Sequence, residues 1–120
     1  MIGMEMTDQD INEIELDIKK AKVLVDRGES LNRLLTNKDF ILLISEGYFK
    51  EHAYQLIELK AAPSMHGKDK QEDILRSIDG IGALQQYFNS VDLIAKNASQ
   101  AIFMAHEELD EIDSHSGGLR

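Results

Sequence analysis

The chain has 120 residues, with 22 acidic and 13 basic side chains and a formal net charge of −9. It contains no cysteine, which excludes disulfide scaffolds, thiolate zinc sites and cysteine nucleophiles. The acidic balance argues against direct nucleic-acid binding and against binding to an anionic membrane, since both need a basic surface.

The first predicted element is a long helix over about residues 8–36. Thr7 stands three residues before Asp10, a spacing that predicts a capping box at the start of this helix, although an imperfect one because the usual third residue is Glu. Gly28 lies inside the helix, where glycine is unfavourable, so we expect either a bend there or the close approach of a neighbouring helix. The apolar residues that follow a three- and four-residue spacing are Ile11, Ile14, Ile18, Ala21 and Val25.

Two short helices are predicted next, over about residues 38–46 and 48–61. Asn37 suits the N-cap of the first of them. Gly47 stands where a left-handed C-cap would separate the two helices. Pro63 ends the second helix, and the loop that follows is too short to separate two domains.

The strongest pattern lies in the last helix, predicted over about residues 69–113. Apolar residues occupy two positions of a seven-residue repeat, which is typical of coiled-coil-like packing. We call this row the seam, and its members are Ile81, Leu84, Phe88, Val91, Ala95, Ala98, Ile102, Ala105, Leu109 and Ile112.

The two long helices differ in predicted length. The last would be about 65 Å long and the first about 42 Å at the α-helical rise per residue. We therefore expect part of the last helix to overhang, to pack on the short helices or to pair with a second copy. The pattern leaves open whether the seam packs within or between chains, and we predict a homo-oligomer formed through this helix.

Together these elements predict an all-α fold, a helical hairpin or bundle with two long helices and two short helices between them. We expect one helical domain over residues 1–113, followed by a flexible tail at 114–120 with a Ser-Gly composition. The start of the chain lacks the basic and apolar regions of a secretory signal. No apolar stretch approaches the length of a membrane span, so we expect neither signal-directed secretion nor a membrane partner.

Candidate catalytic chemistry is sparse. Glu107, Glu108 and Glu111 form an E-E-x-x-E arrangement that could hold Mg²⁺, as in all-α nucleotide pyrophosphatases, which pair it with a later E-x-x-D. Here the E-x-x-D lies upstream, from Glu5 to Asp8. None of the four histidines forms a ligand-spaced pair with another. We interpret the glutamates as a solvated acidic face and predict no enzyme activity, metal or cofactor.

Three aromatic residues are candidate contacts with a partner protein: Tyr48, Phe49 and Phe103. Phe103 falls outside the apolar rows of the last helix. With Met104 and Leu93 near it, Phe103 could seed an interface.

Two segments resemble a family of small helical proteins encoded by tailed bacteriophages. The first is EGYFKE at residues 46–51, and the second is IGALQQYF at residues 81–88. The resemblance covers about residues 31–90 and implies a phage origin and an all-helical fold. Such proteins are similar to others encoded among virion-morphogenesis genes, which implies a structural or assembly role. The family pattern supplies no catalytic residues.

These observations predict a non-enzymatic phage structural or assembly protein that acts through helix-mediated oligomerisation and protein–protein binding. Its expected partners are other copies and other phage or host proteins, in the host cytoplasm during infection or in the virion. The alternative is an inhibitor that binds a host enzyme or defence complex, as an acidic mimic of its ligand. A Mg-dependent all-α nucleotide pyrophosphatase is the third and most distant interpretation.

Overall fold

The computed structural model describes residues 7–118, with side chains up to residue 113, and over this range the chain contains helices and no strands. The predicted all-α fold, with two long helices and shorter ones between them, is confirmed. In chain order the elements are α1 (Asp8–Leu35), α2 (Lys38–Phe40), a π-helix (Ile41–His52), α3 (Ala53–Ala61), a 3₁₀ turn (Pro63–Met65) and α4 (Lys68–Gly118).

The predicted capping box at the start of α1 is confirmed. The backbone N–H of Thr7 donates to Oδ2 of Asp10 at 2.9 Å, and the backbone N–H of Asp10 donates to Oγ1 of Thr7 at 3.1 Å. The two residues thus satisfy each other's backbone donors. The hydrogen bond from the Thr7 backbone lowers the pKa of Asp10 from its usual 3.8, because it favours the charged carboxylate.

This cap should depend on pH in one direction. The pKa of Asp10 is lower in the folded chain than in the unfolded chain. The charged carboxylate therefore contributes fully to the stability of the fold above pH 3.8, and this contribution is lost as the pH falls through the pKa of the folded chain. Thr7→Ala keeps the backbone donor and removes only the side-chain hydroxyl, which also lowers this pKa, so we expect it to raise the pKa of Asp10 only part of the way towards 3.8, as measured by NMR titration of its carboxyl carbon. A wild-type pKa of 3.8 or above would contradict the assignment.

One continuous helix replaces the two predicted short helices. α2, the π-helix and α3 follow one another without a break, and we call residues 38–61 the middle helix. Asn37 caps its start as predicted, with its Oδ1 accepting from the backbone N–H of Phe40 at 3.0 Å. The predicted C-cap at Gly47 is wrong, because this glycine lies inside the π-helix. A Cβ atom at Gly47 would lie 3.0 Å from the carbonyl oxygen of Leu42, so the wider helical turn favours glycine here.

The chain forms two compact units. The terminal unit comprises residues 7–29 and 91–118 of the described range, and the central unit comprises Ser30–Ser90. In the central unit, the first part of α4 packs on the middle helix through buried Leu56, Ile74 and Ile81. That a single domain covers residues 1–113 stays a prediction.

A glutamine holds the connection between the middle helix and α4. Nε2 of Gln71 donates to the carbonyl oxygen of Lys60 at 3.0 Å and to that of Met65 at 2.7 Å. These bonds satisfy carbonyl groups at the end of α3 and of the 3₁₀ turn, which have no partner within their own helices. The first turn of α4 is thus tied to the end of the middle helix and to the 3₁₀ turn.

In the terminal unit, α1 and the second part of α4 run antiparallel. Gly28 of α1 lies against Ala95, while Ile18 lies near Leu109, so the two helices run in opposite directions. Gly28 is buried, and a Cβ atom there would overlap that of Ala95. α1 continues through this position, so Gly28 does not break the helix. Its lack of a side chain allows α4 to pack closely against α1.

α4 ends later than predicted, at Gly118, so residues 114–118 are helical where a tail was predicted. That this end of the chain is flexible stays a prediction, and Leu119 and Arg120 lie outside the described residues. We expected part of α4 to overhang, to pack on the helices between α1 and α4, or to pair with a second copy. In the central unit, α4 packs on the middle helix.

Candidate interaction surfaces

The seam faces the protein's own interior. All ten of its predicted members are buried or half-buried. Phe88, for example, makes edge-to-face contacts with Phe40 and Phe49, with ring centroids 5.8 and 6.2 Å apart. Ala95 meets Gly28. The seam therefore packs at least in part within the chain, and a homo-oligomer formed through α4 stays a prediction.

Four large apolar side chains of the middle helix are exposed to solvent. We refer to them together as the outer face; they are Leu42, Leu43, Tyr54 and Ile57, which are 70%, 68%, 71% and 58% exposed. Leu56, next in sequence to Ile57, is only 5% exposed. The middle helix thus carries apolar side chains both towards the core and towards solvent.

The middle helix is also close to neutral. Residues 38–61 contain three lysines and four acidic residues, a net charge of −1, whereas the whole chain carries −9. Ionic repulsion between this surface and an acidic protein is correspondingly small. Sequence reasoning missed the outer face, because the π-helix shifts the angular spacing on which a pattern of 3.6 residues per turn depends.

The three candidate partner contacts have different environments. Tyr48 and Phe49 are half-buried against the core of the central unit. Phe103 is exposed, as are Met104 and Leu93. Phe103 and Met104 project about 100° apart on α4, and Leu93 lies about 16 Å along the axis from Met104, so the three do not form one patch.

Negative charge is concentrated at one end of the terminal unit. Residues 8–17 and 106–113 contain ten acidic residues and no lysine or arginine, whereas the other 102 residues contain 12 acidic and 13 basic ones. Because α1 and α4 are antiparallel, these two segments lie side by side, and we call them the acidic pole. Among the side chains of residues 7–113, no group of three acidic or histidine side chains is arranged to hold a metal ion. Glu5, part of the E-x-x-D pattern, lies outside the described residues.

An open groove of about 550 Å³ lies between α1 and α4 in the terminal unit. Its lining combines the apolar residues Leu16, Ile18 and Leu109 with Lys19, Lys22 and His106, and it includes one carboxylate, Glu15. Over the described part of the chain, no acidic side chain lies within 4.0 Å of either lysine nitrogen. The groove therefore offers unpaired positive charge beside apolar surface.

Comparisons with protein-family models, curated proteins and solved structures found no match to this chain. Among residues 7–118, no helix is both long and apolar enough to cross a membrane. The surfaces themselves are thus the basis for a functional interpretation.

Proposed function

We propose that this chain is a non-enzymatic phage structural or assembly protein that binds another protein through the outer face of the middle helix. The exposure of Leu42, Leu43, Tyr54 and Ile57 carries the proposal. Large apolar side chains that a helix exposes to solvent, in addition to those it packs on its core, are candidate contacts with a second neighbour. In this chain α4 is one neighbour, and the partner is the other.

The chemistry of the outer face defines the partner surface. Its apolar side chains and the near-neutral charge of the middle helix suit an apolar helix of another assembly component. Among such residues, tyrosine is enriched among the strongest contributors to protein interfaces and leucine is not, so Tyr54 is the expected main contact. Covering one fully exposed side chain of this kind contributes about 1.5–3 kcal/mol, and the sum over the outer face must exceed the cost of about 4–15 kcal/mol for bringing two molecules together.

The test measures the number of copies in virions of the encoding phage by quantitative mass spectrometry. We expect Ile57→Lys to reduce this number by about tenfold or more, because a charge would be buried at the interface. Leu93→Lys is the matched control, since Leu93 is 59% exposed and Ile57 is 58% exposed. Wild-type virions without the protein, or equal incorporation of both variants, would overturn the proposal.

The acidic pole favours a second candidate, the inhibitor of a host enzyme or defence complex. Ten acidic residues at one end of the terminal unit suit a basic, ligand-binding groove on such a target. This function predicts early expression, absence from virions and binding that weakens steeply with salt. Virion composition therefore discriminates the two candidates.

A further inference from the structure

The terminal unit has a small core. Over the described residues it consists of α1 up to Glu29 and the second part of α4, and its buried residues are Ile18, Gly28, Val91 and Ala98. Two of these four are glycine and alanine, so the unit buries little apolar surface by itself. Small folds with so little core commonly gain the missing burial by associating with another chain. An exposed side of α4 in this unit is a candidate surface for such an association.

One side of α4 in the terminal unit carries exposed side chains without charge. Ile94, Asn97, Ala101 and Met104 follow one another at spacings of three and four residues, so they form a line along the helix, which we call the second row. Ile94 and Met104 are 46% and 59% exposed, and the two residues between them are exposed as well. The second row lies about 100° round the helix from the seam, so it is a separate surface.

The second row is uncharged although the chain is strongly acidic. Between Val91 and Ala105 the charged residues are Asp92 and Lys96, and Nζ of Lys96 lies 2.8 Å from Oδ2 of Asp92. Both residues lie more than 100° round α4 from the centre of the second row. Two copies of the chain, each with a net charge of −9, can therefore join through this surface without placing like charges in contact.

We propose that a second copy of this chain covers the second row, with the two α4 helices antiparallel about a two-fold axis midway between Asn97 and Ala101. In this arrangement Asn97 lies opposite Ala101 of the second copy. Ile94 lies opposite Met104 of the second copy. The smaller side chains thus meet where the helices cross, and the larger ones fill the space where the helices diverge. The two-fold axis forms each contact twice.

The charge beyond the second row selects the antiparallel direction. Glu108 continues the same line one turn after Met104. A parallel pair would place the two Glu108 side chains opposite each other. The antiparallel pair separates them by about 27 Å along the helix axis, and it separates the two acidic poles in the same way.

Two features favour a second copy over another protein as the occupant. The second row has a large side chain at each end and smaller ones between, so its order is the same in both directions and each copy fits the other. The missing burial also belongs to the core of the terminal unit, so it has to be supplied whenever the chain is folded, and a second copy is always present. This dimer does not involve the outer face of the middle helix, so it is independent of the proposed attachment to another protein.

The absence of cysteine from the chain allows a direct test of the register. Ile94→Cys and Met104→Cys place thiols at positions that face each other between copies, whereas two copies of the same variant hold their thiols about 15 Å apart along the axis, beyond the reach of a disulfide. We expect an equimolar mixture to form a disulfide-linked dimer under mild oxidation, and each variant alone to form at least about tenfold less. Phe103→Cys is the matched control and should not link to either variant, because Phe103 is 62% exposed and lies about 140° round α4 from the second row.

Sedimentation velocity measures the affinity of the dimer. We expect Ala101→Glu to weaken dimerisation about 100-fold, because two charges would be buried near the two-fold axis, and Phe103→Glu to change it by no more than about twofold. Ile57→Lys should dimerise like wild type, which separates this inference from the proposed function. A wild-type monomer at high micromolar concentration, self-linking of Ile94→Cys as efficient as its linking to Met104→Cys, or equal effects of Ala101→Glu and Phe103→Glu would overturn the proposal.

Discussion

Gly28→Ala is expected to destabilise the folded chain by about 1–3 kcal/mol, although alanine favours an isolated helix by about 1 kcal/mol relative to glycine. The added methyl group would overlap the Cβ atom of Ala95. Neither atom belongs to the end of a flexible side chain, so relief requires the backbones of α1 and α4 to move apart. Urea denaturation followed by circular dichroism measures the loss.

Gly82→Ala is the matched control for this prediction. Gly82 also lies inside a helix, but a Cβ atom there would meet nothing within 4 Å. We expect this variant to be more stable than wild type by about 0.5–1 kcal/mol, because alanine restricts the unfolded chain. If Gly28→Ala and Gly82→Ala stabilised the chain equally, the close contact assigned between Gly28 and Ala95 would be wrong. Adding Ala95→Gly to Gly28→Ala should restore part of the lost stability.

Leu56→Ala is expected to cost about 2–5 kcal/mol, a larger loss of stability than that expected for Gly28→Ala. Leu56 belongs to the core cluster with Ile74 and Ile81, and its removal leaves a cavity between the middle helix and α4. The adjacent Ile57→Ala should change the free energy of unfolding by no more than about 0.5 kcal/mol, because that side chain faces solvent.

The Leu56 and Ile57 pair separates folding from binding. Leu56→Ala should lower the melting temperature, whereas Ile57→Ala should leave it unchanged and weaken attachment to the partner of the outer face. A large loss of stability in Ile57→Ala would show that this side chain packs within the chain and would remove the main support for the proposed function.

The features that could be predicted from the sequence are those formed by residues close together in the chain, such as helix caps. Thr7 with Asp10, and Asn37 alone, act through hydrogen bonds that span three residues, so their roles follow directly from spacing. The seam in α4 was recognised because a seven-residue repeat persists over many turns. Its burial within the chain was not predictable, since the same repeat suits an intramolecular and an intermolecular neighbour equally.

The middle helix was harder to predict for two reasons. Gly47 is a common helix terminator, and its use inside a π-helix depends on the wider backbone turn that surrounds it. In addition, a π-helix changes the angular spacing of side chains, so a pattern based on 3.6 residues per turn assigns faces wrongly after Ile41. The exposure of Tyr54 and Ile57 could therefore be found only from the structure.

The acidic pole has a consequence for the kinetics of assembly. Ten negative side chains at one end of the terminal unit, next to Lys19, Lys20 and Lys22, give this part of the molecule a large electric dipole. Two such dipoles, or one dipole and a basic target, orient each other before their surfaces touch. Added salt should therefore slow the formation of a complex much more than it shortens the lifetime of the complex.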